Sequence, residues 1–244
     1  MQLPSLPFLD PARVPEFQAH LDDLTKPQGA LGRLEALGLQ LARIAGNPRP
    51  ADPDAFILTF GGDHGIAKHG VSAYPQEVTP QMMANMAFGG AAICAFCRAN
   101  RIQHRIVDVG VAAPCAFPGV VQRNVVRGTA DPLTGPAMTR TQAEASLQAG
   151  MDEVAALPDN GFSLLGLGEM GIANSAVAAL LVCAFAGLEP EAAVGPGTGL
   201  DRKGMDHKLK VIRDVLALHH PDPKDPIGTL AAVGGAEFGA MAGA

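Results

Sequence analysis

Residues 161–187 constrain the fold of this chain more than any other stretch. Residues 162–167 are short and apolar, so they predict a buried strand. A glycine-rich bend follows, at Gly166, Gly168 and Gly171. From Asn174 onward a helix is predicted, since residues 176–186 are almost entirely apolar. A strand, a glycine turn and a helix bring unpaired N–H groups and the positive end of the helix dipole to one point, which predicts an anion-binding site.

The same glycine spacing fits the G-x-G-x-x-G pattern of dinucleotide-binding folds, so an NAD-dependent dehydrogenase is an alternative. Such a fold needs an acidic residue about 20 positions further on to hold the ribose. Glu189 and Glu191 are at that distance, but they lie in Gly-Leu-Glu-Pro-Glu, which is typical of a loop. Glu169 would also place a negative charge inside the turn meant for a pyrophosphate. These details weaken the dehydrogenase hypothesis without excluding it.

Two further apolar stretches predict strands of the same sheet. Residues 55–60 end in Gly61-Gly62-Asp63-His64-Gly65, and residues 103–111 form the second predicted strand. Helices are predicted over 80–98, with Thr79 as N-cap, and from a Thr141–Glu144 capping box to about residue 157. A weaker strand is predicted over 119–126. Repeated strand–loop–helix units indicate an α/β fold, a parallel Rossmann-like sheet flanked by helices.

The N-terminal residues predict a separate helical appendage. One amphipathic helix is expected over 10–23, and a second carries apolar residues at helical spacing from Leu31 to Ile44. The proline-rich stretch 47–53 then predicts a linker. We therefore expect a small helical subdomain over 1–46 and an α/β domain with the substrate site over 52–244.

Composition excludes several classes of function. The net charge of −6 argues against a non-specific nucleic-acid binder. No apolar run approaches the roughly 18–20 residues that cross a bilayer, and the N-terminus lacks the pattern of a signal peptide, so a cytoplasmic protein with no membrane partner is expected. Cys94 and Cys97 have redox-motif spacing but lack a second pair for zinc, so we expect buried, reduced thiols and no metal site.

Two polar residues are candidates for chemistry on their position alone. Asp63 and His64 follow a predicted strand, where parallel α/β sheets place their sites. A purely structural role, with Asp63 capping the turn and His64 packing against it, is about equally well supported. Lys208 lies on a basic helix that opens at a second glycine loop, residues 195–199, and it could supply a point charge to a phosphate.

Five motifs carry a resemblance to a known family in their order and spacing. They are Lys26-Pro-Gln-Gly-Ala-Leu-Gly-Arg-Leu-Glu35, Gly62-Asp-His-Gly65, Gly70-Val-Ser-Ala-Tyr-Pro-Gln-Glu-Val-Thr79, Gly168-Glu-Met-Gly-Ile-Ala-Asn174 and Gly195-Pro-Gly-Thr-Gly-Leu-Asp201. Over nearly its whole length the chain resembles the nicotinate-nucleotide–dimethylbenzimidazole phosphoribosyltransferases, which act in cobalamin lower-ligand biosynthesis.

The resemblance implies phosphoribosyl transfer from nicotinate mononucleotide to 5,6-dimethylbenzimidazole, giving α-ribazole 5'-phosphate and nicotinate. It also implies a homodimer, a helical domain drawn from both chain ends, and no metal or redox cofactor. It places Tyr74 and Gln81 at the wall of the benzimidazole pocket, where helix 80–98 would add apolar walls. The residues that it places at the ribose and phosphate are Glu169, Met170, Gly171, Ile172, Gly197 and Lys208.

The general base is the one family feature that these residues do not supply. In the family it is a glutamate in a C-terminal stretch beyond residue 244, and Glu237 lies upstream of it and does not match. We therefore assign no catalytic residue, and expect the native chain to continue, the 244 residues alone to be nearly inactive, and apolar surface to be exposed around 227–244. The alternatives are the dehydrogenase and a non-catalytic paralogue that binds a nucleotide or benzimidazole.

Overall fold

The computed structural model describes residues 9–52, 54–157 and 163–244. Gly161 and Phe162, where the first predicted strand begins, lie outside the described residues. The chain divides into two compact units, one up to Asp54 and one from Ala55 to Ala244.

The first unit is helical. After a 3-10 turn at Pro11–Arg13, its helices are α1 (Val14–Asp22) and α2 (Arg33–Ala45). Gly46 ends α2 in the left-handed conformation, and its carbonyl oxygen accepts a hydrogen bond of 2.7 Å from the Arg13 guanidinium. The apolar stripe predicted on α2 is present, but its side chains are exposed, with Leu34 at 65%.

The second unit is built on a four-stranded parallel sheet in the order β3-β2-β1-β4. The strands are β1 (Ala55–Gly62), β2 (Gln103–Gly110), β3 (Val120–Gln122) and β4 (Leu164–Met170). The chain moves outward from β1 through β2 to β3 and then returns to place β4 on the other side of β1. The carboxyl ends of β1 and β4 therefore flank a topological switch point, where open α/β sheets bind their ligands.

Eight helices belong to the described part of this unit. They are α3 (Val78–Ala87), α4 (Ala92–Asn100), α5 (Arg140–Ala155), α6 (Asn174–Ala186), α7 (Pro190–Ala193), α8 (Arg202–His219), α9 (Pro226–Val233) and α10 (Ala236–Gly243). The α/β fold with a parallel sheet is confirmed. The β1 and β2 side chains Phe56, Leu58, Phe60, Val107 and Val109 form one core cluster together with residues of α5, α9 and α10.

The single helix predicted over 80–98 is wrong, because the structure divides it into α3 and α4. Gly89 takes a φ of 77°, a left-handed conformation that suits glycine, and breaks the helix. By length and composition Val78–Asn100 is the one stretch among the described residues that could cross a membrane. Here Met83, Met86, Cys94 and Cys97 of the two helices are instead buried in the core.

Two helix starts also differ from prediction. The capping box of α5 uses Thr139 and Gln142, two residues earlier than Thr141 and Glu144, since the Thr139 hydroxyl accepts from the Gln142 N–H at 3.2 Å. Helix α3 begins at Val78 rather than after Thr79. The Thr79 hydroxyl does not cap the helix, because it accepts a long-range hydrogen bond from Ile172.

The expectation of exposed apolar surface around 227–244 is wrong for most of the segment. Helices α9 and α10 bury Leu230, Ala231, Val233, Ala236 and Ala240. Helix α10 packs closely on α5, because a Cβ at Gly239 would overlap the Ser146 hydroxyl and one at Gly243 would overlap the Leu147 carbonyl oxygen.

Candidate active site

Polar side chains gather where β1 and β4 end. Asp63 and His64 follow β1 directly, and Glu169 is the next-to-last residue of β4. The register pairs Phe60 with Glu169, so the two strands deliver these residues to the same edge of the sheet. The candidate site therefore lies at the switch point of the sheet.

The turn after β4 is held against the end of β1. A side chain at Gly171 would overlap the Gly62 carbonyl oxygen, so the turn approaches this closely only with glycine. The Ile172 N–H donates to the buried Thr79 hydroxyl at 3.0 Å. Ala173 then takes a φ of 75°, and α6 begins at Asn174. The predicted strand and helix are confirmed, and the positive end of α6 faces the site. The predicted glycine bend is wrong in part, because Gly166 and Gly168 lie within β4 and only Gly171 lies in the turn.

Glu169 is a largely buried carboxylate at this turn. The Asn174 side-chain amide donates to both of its oxygens, at 2.7 and 2.5 Å. Burial raises the pKa of Glu169, the Asn174 hydrogen bond opposes this, and repulsion from Glu237 adds to the rise. The net direction is upward, so Glu169 keeps its proton to a higher pH than an exposed glutamate does.

Lys208 is the buried cation of the site. Its side chain is 0% exposed, and its ammonium donates to the Ser175 hydroxyl at 2.9 Å and to the Gly195 carbonyl at 3.1 Å. Both partners are neutral, and no carboxylate pairs with Lys208 among the residues that the structure describes. Burial lowers the pKa of Lys208. A buried ammonium without a counter-charge is a strong site for an anion.

The second glycine loop lies beside this cation. Gly197 takes a φ of 54°, and a Cβ there would lie 3.3 Å from the Lys208 ammonium and would press on Ser175. Glycine at this position therefore leaves space next to the charge. Thr198 ties the loop to the 70–77 segment, because its hydroxyl lies 3.0 Å from the Ser72 hydroxyl and accepts from the Ala73 N–H at 2.9 Å.

Tyr74 and Gln81 are less firmly placed than the other predicted residues. Both are exposed, Tyr74 in the 70–77 segment and Gln81 on α3. Their side chains form no hydrogen bond with another predicted site residue in the described part of the chain. An apolar cleft of about 360 Å³ does connect α3 to the site. Its lining includes Met82, Met86, Thr59, Glu169 and Met170.

Asp63 has a structural contact and also faces a cavity. Its Oδ2 accepts from the Ala112 N–H at 2.9 Å, which supports the turn-holding interpretation. It also lines a cavity of about 150 Å³ with Gln76, Glu77 and Pro80. Burial raises the pKa of Asp63, and the bond from Ala112 opposes this.

The ion-pair partner of His64 is a residue that the structural interpretation did not include. The His64 Nε2 lies 3.0 Å from the Oε1 of Glu237, and both side chains are fully buried. Sequence reasoning passed over Glu237 as a partner. One signal was available, since a single charge within the small, apolar segment 234–244 must find a counter-charge when that segment is buried.

Comparison with known proteins decides the family. Residues 6–244 match a family model described as a phosphoribosyltransferase. The chain belongs to this phosphoribosyltransferase family. It is 48% identical to the nicotinate-nucleotide–dimethylbenzimidazole phosphoribosyltransferase of Cupriavidus taiwanensis, over the whole of this chain and 70% of that protein. It is 44% identical to the protein of the same name from Geobacter sulfurreducens, over 96% of this chain and 67% of that protein.

A solved phosphoribosyltransferase structure agrees with the fold. The crystal structure of CobT from Thermus thermophilus matches with a TM-score of 0.90 and 41% identity, over 96% of this chain and 70% of that one. The family resemblance in the motifs is therefore confirmed. These relatives give no support to the dehydrogenase alternative. Among the described residues, no cluster of three or more metal-ligating side chains is present.

Proposed function

We propose that this phosphoribosyltransferase transfers the phosphoribosyl group of nicotinate mononucleotide to 5,6-dimethylbenzimidazole, in assembly of the cobalamin nucleotide loop. The products are α-ribazole 5'-phosphate and nicotinate. The observation that carries the proposal is Lys208, a buried ammonium with only neutral partners beside a glycine loop and the start of α6. A 5'-phosphate would supply the missing counter-charge.

Different site residues bind different parts of the substrates. Lys208, Gly197 and the N-terminus of α6 bind the phosphate. Glu169, Met170, Gly171 and Ile172 border the ribose, with Glu169 accepting hydrogen bonds from its hydroxyls. The cleft between α3 and β4 takes the flat base, with Tyr74 and Gln81 at its outer wall. Its Met82 and Met86 supply the polarizable apolar contacts that an aromatic ring favours.

The reaction exchanges one carbon–nitrogen bond for another. A benzimidazole nitrogen donates its lone pair to C1' of the ribose, and the bond from C1' to the nicotinate nitrogen breaks, with its electrons returning to that ring. The N–H proton of the benzimidazole leaves to a general base. We assign no residue of this chain to that base. Positive charge develops at C1' during the exchange, and an ionised Glu169 stabilises it.

We also propose a homodimer that acts in the cytoplasm. Exposed aromatic side chains on the α3–α4 surface support the dimer, since Phe88 is 73% and Phe96 67% exposed. The four cysteines, which are free and buried, are consistent with a reducing compartment. Sedimentation equilibrium of the protein and of a Phe96→Ser variant tests the dimer, which is wrong if both sediment as monomers.

The helical residues up to 46 form, in our proposal, a subdomain separate from the α/β domain of 52–244. The packing of α1 on α2 and the Arg13–Gly46 hydrogen bond support this division. Limited proteolysis between residues 47 and 54 tests it, with two protease-resistant products expected.

Calorimetric titration with three ligands tests the function. We expect nicotinate mononucleotide and dimethylbenzimidazole to bind and NAD not to bind. A chromatographic assay for α-ribazole phosphate, run with both substrates, then separates a transferase from a protein that only binds them. NAD binding with hydride transfer would contradict the proposal, and so would an absence of nicotinate mononucleotide binding.

A further inference from the structure

Two glycines within β4 leave the neighbouring side chains of β1 uncovered. The register pairs Ile57 with Gly166 and Thr59 with Gly168. A Cβ at Gly166 would lie 3.0 Å from the Ile57 side chain, and one at Gly168 would lie 3.2 Å from the Thr59 hydroxyl oxygen. Glycine inside a strand weakens it and often marks a place where a ligand approaches the backbone closely. The two glycines therefore point to a binding surface on this face of the sheet.

This face is one wall of the cleft of about 360 Å³ that the proposed function assigns to the base. Backbone without side chains at Gly166 and Gly168 gives a flat surface, which suits a flat aromatic ring. Thr59 is the one hydroxyl-bearing residue among the described residues that line the cleft. The apolar side chains that line it come from Ile57, Met82, Met86, Ala91, Ala92, Ile93, Leu167 and Met170.

A hydrogen-bonded chain behind the cleft fixes the direction of the Thr59 hydroxyl. The Thr59 oxygen lies 2.9 Å from His104 Nε2, and His104 Nδ1 lies 3.9 Å from the Cys94 sulfur. Cys94 donates its own hydrogen to the Met86 carbonyl at 3.3 Å, so its sulfur offers only lone pairs to the imidazole. This network places the ring proton of a neutral His104 on Nδ1 and leaves Nε2 as an acceptor. Burial lowers the pKa of His104, which favours the neutral ring.

The Thr59 hydroxyl therefore donates its one hydrogen to His104 and presents only lone pairs to the cleft. A benzimidazole has one ring nitrogen with a hydrogen and one with a free lone pair. We propose that Thr59 is a specificity-determining residue that accepts a hydrogen bond from the benzimidazole N–H and so directs the other nitrogen toward C1'. Thr59 orients the ring and removes no proton. The inference rests on the proposed function, in which this cleft takes the base.

Two bases that differ by one group test the hydrogen bond. In 5,6-dimethylbenzoxazole a ring oxygen replaces the N–H of 5,6-dimethylbenzimidazole, so the ligand keeps its shape and loses the donor. Titration calorimetry gives the affinity ratio of the two bases for each protein. We expect Thr59→Val to reduce the preference for the benzimidazole by about fivefold to tenfold, because the acceptor is gone. Thr59→Ser keeps the hydroxyl and should keep the preference. An equal ratio in the wild type and Thr59→Val would overturn the proposal.

Thr229→Val is the matched control. Thr229 is another buried threonine, its hydroxyl donates to the Asp222 carbonyl at 2.7 Å, and it does not line the cleft. This variant should lower the melting temperature and leave the ratio of the two base affinities unchanged. Ribose 5-phosphate affinity should stay within about twofold of the wild type in Thr59→Val, since that ligand carries no base. A change of the same size in Thr229→Val would overturn the proposal, because the ratio would then report stability.

A measurement on the wild type does not depend on the folding of any variant. In protein labelled with nitrogen-15 at histidine, the neutral His104 ring should carry its proton on Nδ1 at about pH 8. A proton on Nε2 would make Thr59 a donor toward the cleft and would overturn the inference. If the wild type binds neither base, the proposed function itself fails. Binding of both bases with a ratio that Thr59→Val leaves unchanged means that the inference alone fails, so the two failures are distinguishable.

Discussion

At the scale of single residues, Lys208 has the most unusual environment in the site. Five other cations were candidates on the same basic helix, and sequence alone offered solvent exposure as the simplest account of each. The fold separates Lys208 from them by burying it between Ser175 and Gly195, while Lys210 extends into solvent and pairs with Asp214 at 2.6 Å. Burial makes the difference, since it removes the water that would otherwise solvate the ammonium.

Replacing Lys208 with alanine should selectively weaken binding of the phosphorylated substrate. We expect Lys208→Ala to cost about 1.5–3 kcal/mol in nicotinate mononucleotide affinity, the range for charge-assisted hydrogen bonds. Dimethylbenzimidazole affinity should hardly change, because that ligand carries no phosphate. Titration calorimetry on both ligands measures the effect. Lys210→Ala is the control on the same helix and should leave both affinities unchanged, whereas equal losses for both ligands in Lys208→Ala would mean a structural role.

At the scale of elements, the contact between α5 and α10 depends on small residues. A Cβ at Gly150 of α5 would overlap the Ala240 carbonyl oxygen, and one at Gly239 of α10 would overlap the Ser146 hydroxyl. The two backbones therefore approach closely at Gly150, and the Ser146 side chain fills the space beside Gly239. Helix α10 carries Glu237 at its start, so this packing also positions the carboxylate beside His64.

Gly150→Ala should destabilise the protein, although alanine is the better helix former. The added methyl group meets backbone, which cannot rotate away, so we expect a loss of about 1–3 kcal/mol in the free energy of unfolding. Denaturant unfolding monitored by circular dichroism measures it. Gly135→Ala is the control, because a Cβ there meets nothing within 4 Å, and it should change stability little. A Gly150→Ala protein as stable as the wild type would mean that the helices separate easily.

At the scale of the whole molecule, three groups at the switch point, two buried and one partly buried, make stability depend on pH in the same direction. The pKa values of His64, Glu169 and Asp63 are all raised, so the folded protein binds their protons more tightly than the unfolded chain does. The contribution of His64 is complete below its unfolded value, about 6.5, and is lost as pH rises through the raised pKa. The two carboxyl groups also lose their contribution as pH rises above their unfolded values of about 4.

We therefore expect these three groups to lower the melting temperature as the pH rises from about 5 to about 8, whereas His104, whose pKa is lowered by burial, acts in the opposite direction over the same range. Carboxyl groups with a lowered pKa, Asp131 and Asp225, do not oppose this trend, because their contribution is lost only in stronger acid. Scanning calorimetry of a His104→Gln variant, which lacks the opposing group, checks the trend across this range, and a melting temperature that rises with pH in that variant would contradict it. In Glu237→Gln the fall should be smaller, because the main attraction that raises the pKa of His64 is gone.

Much of the architecture follows from local sequence. The strand and the helix around residue 170 were predictable, since apolar patterns act within a few residues of each other, whereas Gly166 and Gly168 lie within β4 and not in the predicted bend. The same reasoning placed an anion site at this turn, and the family resemblance singled out Lys208 among the cations of its helix. Gly89, which breaks the helix, was visible in the sequence. The apolar residues on both sides of it nevertheless led to the prediction of one continuous helix.

Only the tertiary structure decided which polar groups meet. Thr79 has the sequence context of a helix cap and serves instead as the acceptor for Ile172, and Glu237, which sequence reasoning set aside, is the partner of His64. Both contacts join elements that lie far apart in the chain. They depend on β4 returning beside β1 and on α10 packing against α5, and the residues near each partner do not specify which element they will meet. Propensity and periodicity are local, whereas the pairing of buried charges depends on how the completed core excludes water.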